Sequence, residues 1–139
     1  MAPIRDRITV IDRVYHQRLG EEAQEFPCTF SRELETTEQP YTRQLVATEE
    51  WKPLDHGWIE RVGMLIVVNQ EGRFLQTNPS KEQKDEAAKK ILELQYEGSA
   101  WSWLIPPGES FRGMPGDITN LLIRSRSGTI KFTVHVLPI

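Results

Sequence analysis

Apolar residues recur at every second position over much of this chain, and that period predicts an antiparallel β protein. Residues 7–16 (Arg-Ile-Thr-Val-Ile-Asp-Arg-Val-Tyr-His) are rich in β-branched types and read as a first strand. Residues 20–27 form a polar, acidic connector. Residues 28–34 and 41–48 both alternate apolar with polar side chains, and a Thr-Thr-Glu-Gln-Pro turn separates them, so they are expected to pair as a hairpin. The irregular stretch 51–57 reads as a corner between sheets. Residues 62–68 (Val-Gly-Met-Leu-Ile-Val-Val) do not alternate, which predicts a strand buried on both faces. A turn at 69–72 would then return the chain as a partner strand over 73–77.

A different period takes over next. Ser80 is a good N-cap, Gln83 completes a Ser-x-x-Gln capping box, and residues 81–95 are strong helix formers. Ala87, Ala88, Ile91, Leu92 and Gln95 share one face, with Lys84, Asp85, Lys89, Lys90 and Glu93 on the others. The spacing predicts a helix near 81–95, stopped by Gly98 and lying as a lid over the outer face of the 62–68 strand.

The last third returns to the β period. Residues 101–105 read as a strand running into the Pro106-Pro107-Gly108 corner, and residues 121–136 as a hairpin hinged at Ser127-Gly128. That hinge would set Ser125 opposite Ile130, Ile123 opposite Phe132 and Leu121 opposite Val134. It would also set Arg124 against Lys131 on the outer face, an unfavourable pair unless a carboxylate lies nearby. The expected core is Leu65, Val67, Leu104, Leu121, Ile123, Phe132 and Val134. The fold class is therefore mainly all-β: an antiparallel, jelly-roll-like β-sandwich of about seven to nine strands with one inserted helix.

Composition adds bounds to this picture. A chain of 139 residues, 38% hydrophobic and 27% charged, is ordinary for one soluble domain. The net charge of −3 is too mild to imply nucleic acid. Residues 1–50 hold six Arg, no Lys and ten acidic residues, while the remainder is nearly neutral. That asymmetry suggests an extended N-terminal arm over 1–35, containing a strand, followed by a sandwich domain over 36–139. Cys28 is the single cysteine, which rules out an internal disulfide and fits assembly in a reducing cytoplasm. No apolar run approaches ~20 residues and the first residues lack a signal-like apolar core, so no membrane association is expected.

Candidate chemistry is sparse. Asp55, His56 and Glu60 are close in sequence but lack the spacing of metal ligands on rigid elements, and the corner reading is preferred. Cys28 on an alternating strand reads as a small core residue rather than a nucleophile. No phosphate loop, dinucleotide fingerprint or nucleophile elbow occurs, so no enzymatic activity and no cofactor are expected. Trp101 and Trp103, two apart on a presumed strand, would face one side and could stack a sugar; the competing reading is that both fill the core. Arg112, Arg124, Arg126 and Lys131 form a basic set that reads as either a solvated face or a contact surface for an acidic partner.

Two segments carry a resemblance. Residues 48–59 (Thr-Glu-Glu-Trp-Lys-Pro-Leu-Asp-His-Gly-Trp-Ile) lead into Gly63-Met64-Leu65-Ile66-Val67-Val68-Asn69. Later, Leu104-Ile105-Pro106-Pro107-Gly108-Glu109-Ser110-Phe111 precedes a closing strand over 128–137. Over roughly residues 40–139 the chain thus resembles small β-sandwich structural proteins in the virions of tailed bacteriophages, which share a valine-rich strand ending in Asn and a Pro-Gly-Glu turn. The resemblance implies a non-enzymatic capsid decoration (cement), head–tail or tail protein, present in many copies. Its partners would be major capsid or tail proteins and copies of itself, in a virion assembled in the host cytoplasm. It supplies no catalytic residues. The alternative from the residues themselves remains a carbohydrate-binding sandwich using Trp101 and Trp103.

Overall fold

A computed structural model of the protein describes residues 6–12, 15–16, 20, 22–25, 30–36, 39–72, 78–113 and 118–138. The expected strand at 73–77 and Cys28 lie outside these residues. The chain divides into two compact units, Met1–Gln39 with Ile139, and Pro40–Pro138.

In the first unit, β1 (Asp6–Asp12), β2 (Tyr15–His16), β3 (Gln24–Glu25) and β4 (Phe30–Thr36) form two antiparallel ladders, β1 with β4 and β2 with β3. The register sets Arg7 opposite Glu35 and Ile8 opposite Leu34. The hairpin expected between residues 28–34 and 41–48 is therefore not formed. Alternation marked both segments as strands but left their partners open, and β4 pairs backwards with β1.

The second unit begins with β5 (Tyr41–Ala47), β6 (Lys52–Pro53), β7 (Val62–Asn69) and α1 (Lys81–Ala88). It continues through β8 (Leu92–Tyr96), β9 (Trp103–Ile105), β10 (Ser110–Gly113), β11 (Leu121–Ser125) and β12 (Ile130–Pro138). These strands make two four-stranded antiparallel sheets, ordered β10-β7-β12-β5 and β6-β11-β8-β9. The pairs are nested: β5 with β12, β6 with β11, β7 with β10, and β8 with β9. A long hairpin rolled up in this way is a jelly roll, in which successive strands change sheets at almost every connection. As expected, the 51–57 corner carries the chain from one sheet to the other.

The roll corrects the expected terminal hairpin. β11 and β12 lie in different sheets, and Gly128 (φ +64°) helps the chain cross between them. Leu121, Ile123, Phe132 and Val134 are all buried, but they meet across the sandwich rather than along one ladder. Period-2 patterning assigns a residue to a face, and the same faces point inward under either pairing. The Arg124–Lys131 opposition does not arise, because Arg124 sits opposite Glu93 and Lys131 opposite Val46.

Two further expectations change. Leu104 is 48% exposed and Ile105 is buried instead, since Ile105 pairs with Leu92 while Leu104 pairs with Glu93 on the outer face. The helix starts where expected, with Ser80 Oγ accepting from Gln83 N and Gln83 Oε1 from Ser80 N. It ends at Ala88, seven residues early, and buries no side chain, so it is not a lid. Leu92-Glu93-Leu94-Gln95-Tyr96 also alternates, and pairing between β11 and β9 in a sheet outweighs its helix propensity. On β7, Leu65 and Val67 are fully buried inward, whereas Ile66 and Val68 on the outer face are half-buried.

Candidate functional site

One end of the sandwich is tied by a single side chain. The parity of Leu65 and Val67 turns Asn69, the last residue of β7, into the interior, where it is fully buried. Its amide nitrogen donates to Lys90 O at 2.8 Å and Ile105 O at 2.9 Å, while Oδ1 accepts from Glu71 N at 3.0 Å. Its backbone accepts from Gly108 N (3.1 Å) and donates to Glu109 O (2.9 Å). The valine-rich strand and the Pro-Pro-Gly-Glu turn, far apart in sequence, thus lock together at Asn69. Every polar atom of this amide is engaged, which suits a structural clip.

The opposite end is organised by Asp55. Its Oδ2 accepts from Tyr41 Oη at 2.6 Å and Arg43 Nη1 at 3.3 Å, and its Oδ1 from Gly57 N at 2.9 Å. The Tyr41 hydrogen bond foremost, then the Gly57 amide and the Arg43 charge, hold its carboxyl below the usual carboxylate range. Burial, followed by the bond to Asp55, pushes the Tyr41 hydroxyl up. Trp58 packs edge-on against Tyr41 at 5.1 Å, and His56 Nδ1 donates to Ile59 O at 3.1 Å. Asp55 and His56 are thus committed to the corner. Among the described residues no group of three His, Cys, Asp or Glu could hold a metal.

The four basic residues do not form one surface. Arg124 and Arg126 lie on the outside of the second sheet and converge on Glu93, at 2.9 Å and 3.2 Å. The Glu93 side chain is only 5% exposed beneath them, and the Arg124 guanidinium stacks over Trp51, 4.5 Å from the ring centroid. This is the within-chain carboxylate that Arg124 needed, and Trp51 covers the pair on one side. Arg112 and Lys131 belong to β10 and β12 of the other sheet.

The tryptophans separate as well. Trp103 is on β9, an edge strand, and its ring meets Tyr96 at 5.7 Å and Phe111 at 5.5 Å. Phe111 is on β10, the edge of the other sheet, so these rings seal the open side of the sandwich. Trp103 is half-closing the core and still 42% exposed; Trp101 precedes β9 and is 82% exposed. Neither fills the interior, and the two are not a pair on one strand. The sequence reading missed Glu93 and Asn69 as organising residues, although a carboxylate between two leucines and an Asn closing an apolar strand were visible signals.

No protein-family model, curated protein or solved structure matches the chain.

Proposed function

We propose that the protein is a non-enzymatic structural subunit of a phage virion, assembling in multiple copies on the capsid or at the head–tail or tail region and stabilising it by protein–protein contacts. The observation that supports this reading is the interlock at Asn69. The two segments that carry the resemblance, a valine-rich strand ending in Asn and a Pro-Gly-Glu turn, are the two that the fold joins by reciprocal backbone bonds. Jelly rolls are also a common architecture of capsid domains. The polar clusters add weight in the same direction. Glu93 and Asn69 are buried and engaged by protein partners, and Asp55 is held by Tyr41, Arg43 and Gly57, an arrangement that suits a scaffold.

The partners in this reading are capsid or tail proteins and further copies of the chain, joined in the host cytoplasm. Co-expression with the products of the flanking genes, followed by gradient sedimentation, tests it. The full chain is expected to travel with the assembled particles in several copies per particle. A chain that stays in the slow monomeric fractions beside those assembled products would overturn the reading. Removal of residues 1–35 is expected to leave the sandwich folded and to abolish incorporation.

A further inference from the structure

We infer that β5 is the contact edge for a second copy of this chain, the two β5 strands pairing antiparallel about a two-fold axis at Gln44. The two sheets of the second unit present four edges, and three of them are blunted. β6 is two residues long and contains Pro53, β9 is three residues long and runs into Pro106, and β10 is four residues long and carries Arg112. β5 is different. It pairs with β12 over all of Tyr41–Ala47 with no bulge and no proline, and among the described residues no strand lies on its other side. A long, flat edge of this kind is a template for another strand.

The open backbone groups follow from the ladder. Gln70 N donates to Lys131 O, so Lys131 turns its backbone toward β7, and the alternate residues Phe132 and Val134 turn theirs toward β5. Their partners Leu45 and Arg43 carry the bonds between β5 and β12. Thr42, Gln44 and Val46 therefore point their N–H and C=O groups away from the sheet. This open row is closed at both ends. Pro40 has no N–H to offer, and Thr48 O already accepts from Ser125 N at 2.7 Å. Gln44 stands at its centre.

That symmetry selects the partner. A second copy turned about Gln44 sets Gln44 opposite Gln44, and Thr42 opposite Val46 on either side. Two bonds per facing pair then use every open group on both copies. A slip of two residues would set Val46 against Pro40, or Thr42 against the occupied Thr48, and lose bonds either way. Charge permits the pairing as well. Arg43, the one charged residue of β5, would face Leu45 of the other copy and is balanced by Asp55 at 3.3 Å. Val46, 56% exposed in the single chain, gains Thr42 of the other copy as a cross-strand neighbour, a favourable β-branched pair. The contact needs only the purified protein and stands whether or not the chain is a virion subunit.

The test is sedimentation of the full chain over a concentration series, with charges placed on the proposed axis. The mass is expected to rise from that of the monomer toward twice that value. Gln44→Lys and Gln44→Glu each set like charges directly opposite one another, so each alone should dimerise about fivefold more weakly. An equal mixture of the two should recover pairing, because opposite charges then meet across the axis. Both variants should melt close to wild type, since Gln44 is exposed and its N–H lies outside the ladder with β12. Amide exchange in the dimer should slow at Thr42, Gln44 and Val46 relative to the dilute chain, and not at Arg43 or Leu45. Three results would overturn the inference: a chain monomeric throughout the series, a dimer that both single variants leave intact, or a mixture of the two that fails to pair.

Discussion

Replacing Asn69 by alanine tests the clip that closes one end of the sandwich. The substitution removes three hydrogen bonds, two donated to Lys90 O and Ile105 O and one accepted from Glu71 N. A typical net hydrogen bond contributes about 1 kcal/mol, and a buried group left without a partner loses more than an exposed one. The bond to Ile105 O is fully buried, so the sum is about 3 kcal/mol. That is a large share of a small domain's stability and corresponds to a fall in melting temperature of about 10 °C. Urea unfolding followed by tryptophan fluorescence measures it directly. Asn69→Asp sharpens the test. It keeps the acceptor but turns a carboxylate oxygen toward two carbonyl oxygens, so at neutral pH it should be at least as damaging as alanine. Acidification should partly restore it, because a protonated Asp can donate one bond. Gln70→Ala, which loses only the half-buried bond to Thr133 Oγ1, should cost under about 1 kcal/mol. If Asn69→Ala unfolded within about 1 kcal/mol of wild type, or Asn69→Asp were neutral, the clip would not be holding the three loops together.

Three more outcomes follow from the same geometry. Ile105→Ala should cost about 2–5 kcal/mol and Leu104→Ala under about 1, and equal losses in chemical denaturation would contradict the β8–β9 register. Gly57→Ala should lower the melting temperature sharply, because Gly57 has φ +60° and an added Cβ would lie 2.5 Å from the Tyr41 ring; a neutral substitution there would mean that the corner is packed differently. Asp55 has its pKa lowered by folding, so its contribution is present above the unfolded value near 3.8 and is lost as pH falls through the folded one. Melting temperatures measured from pH 7 downward should therefore drop less steeply in Asp55→Asn than in wild type, and parallel curves would remove Asp55 from the acid response.

Much of this protein is written in short-range patterns. The period of two assigns Leu121, Ile123, Phe132 and Val134 to the interior without knowledge of any partner, because successive side chains on a strand must point to opposite faces, whereas the unbroken apolar run 62–68 marks Leu65 and Val67 as core without choosing a face. The Ser80–Gln83 box starts a helix from four consecutive residues, since a cap satisfies donors that lie within one turn. Partners are another matter. β12 is joined to β5 across more than eighty residues and to β7 rather than to adjacent β11, and only the closing of two sheets over a shared core selects those pairings. The same closure decides that Leu92–Tyr96 is a strand, since its helical and alternating patterns coexist and burial between β9 and β11 breaks the tie. It also gives Glu93 its two arginines and Asn69 its three loops. A side chain's face is a local property of the backbone, but its hydrogen-bond partner is whatever the distant chain brings within 3 Å.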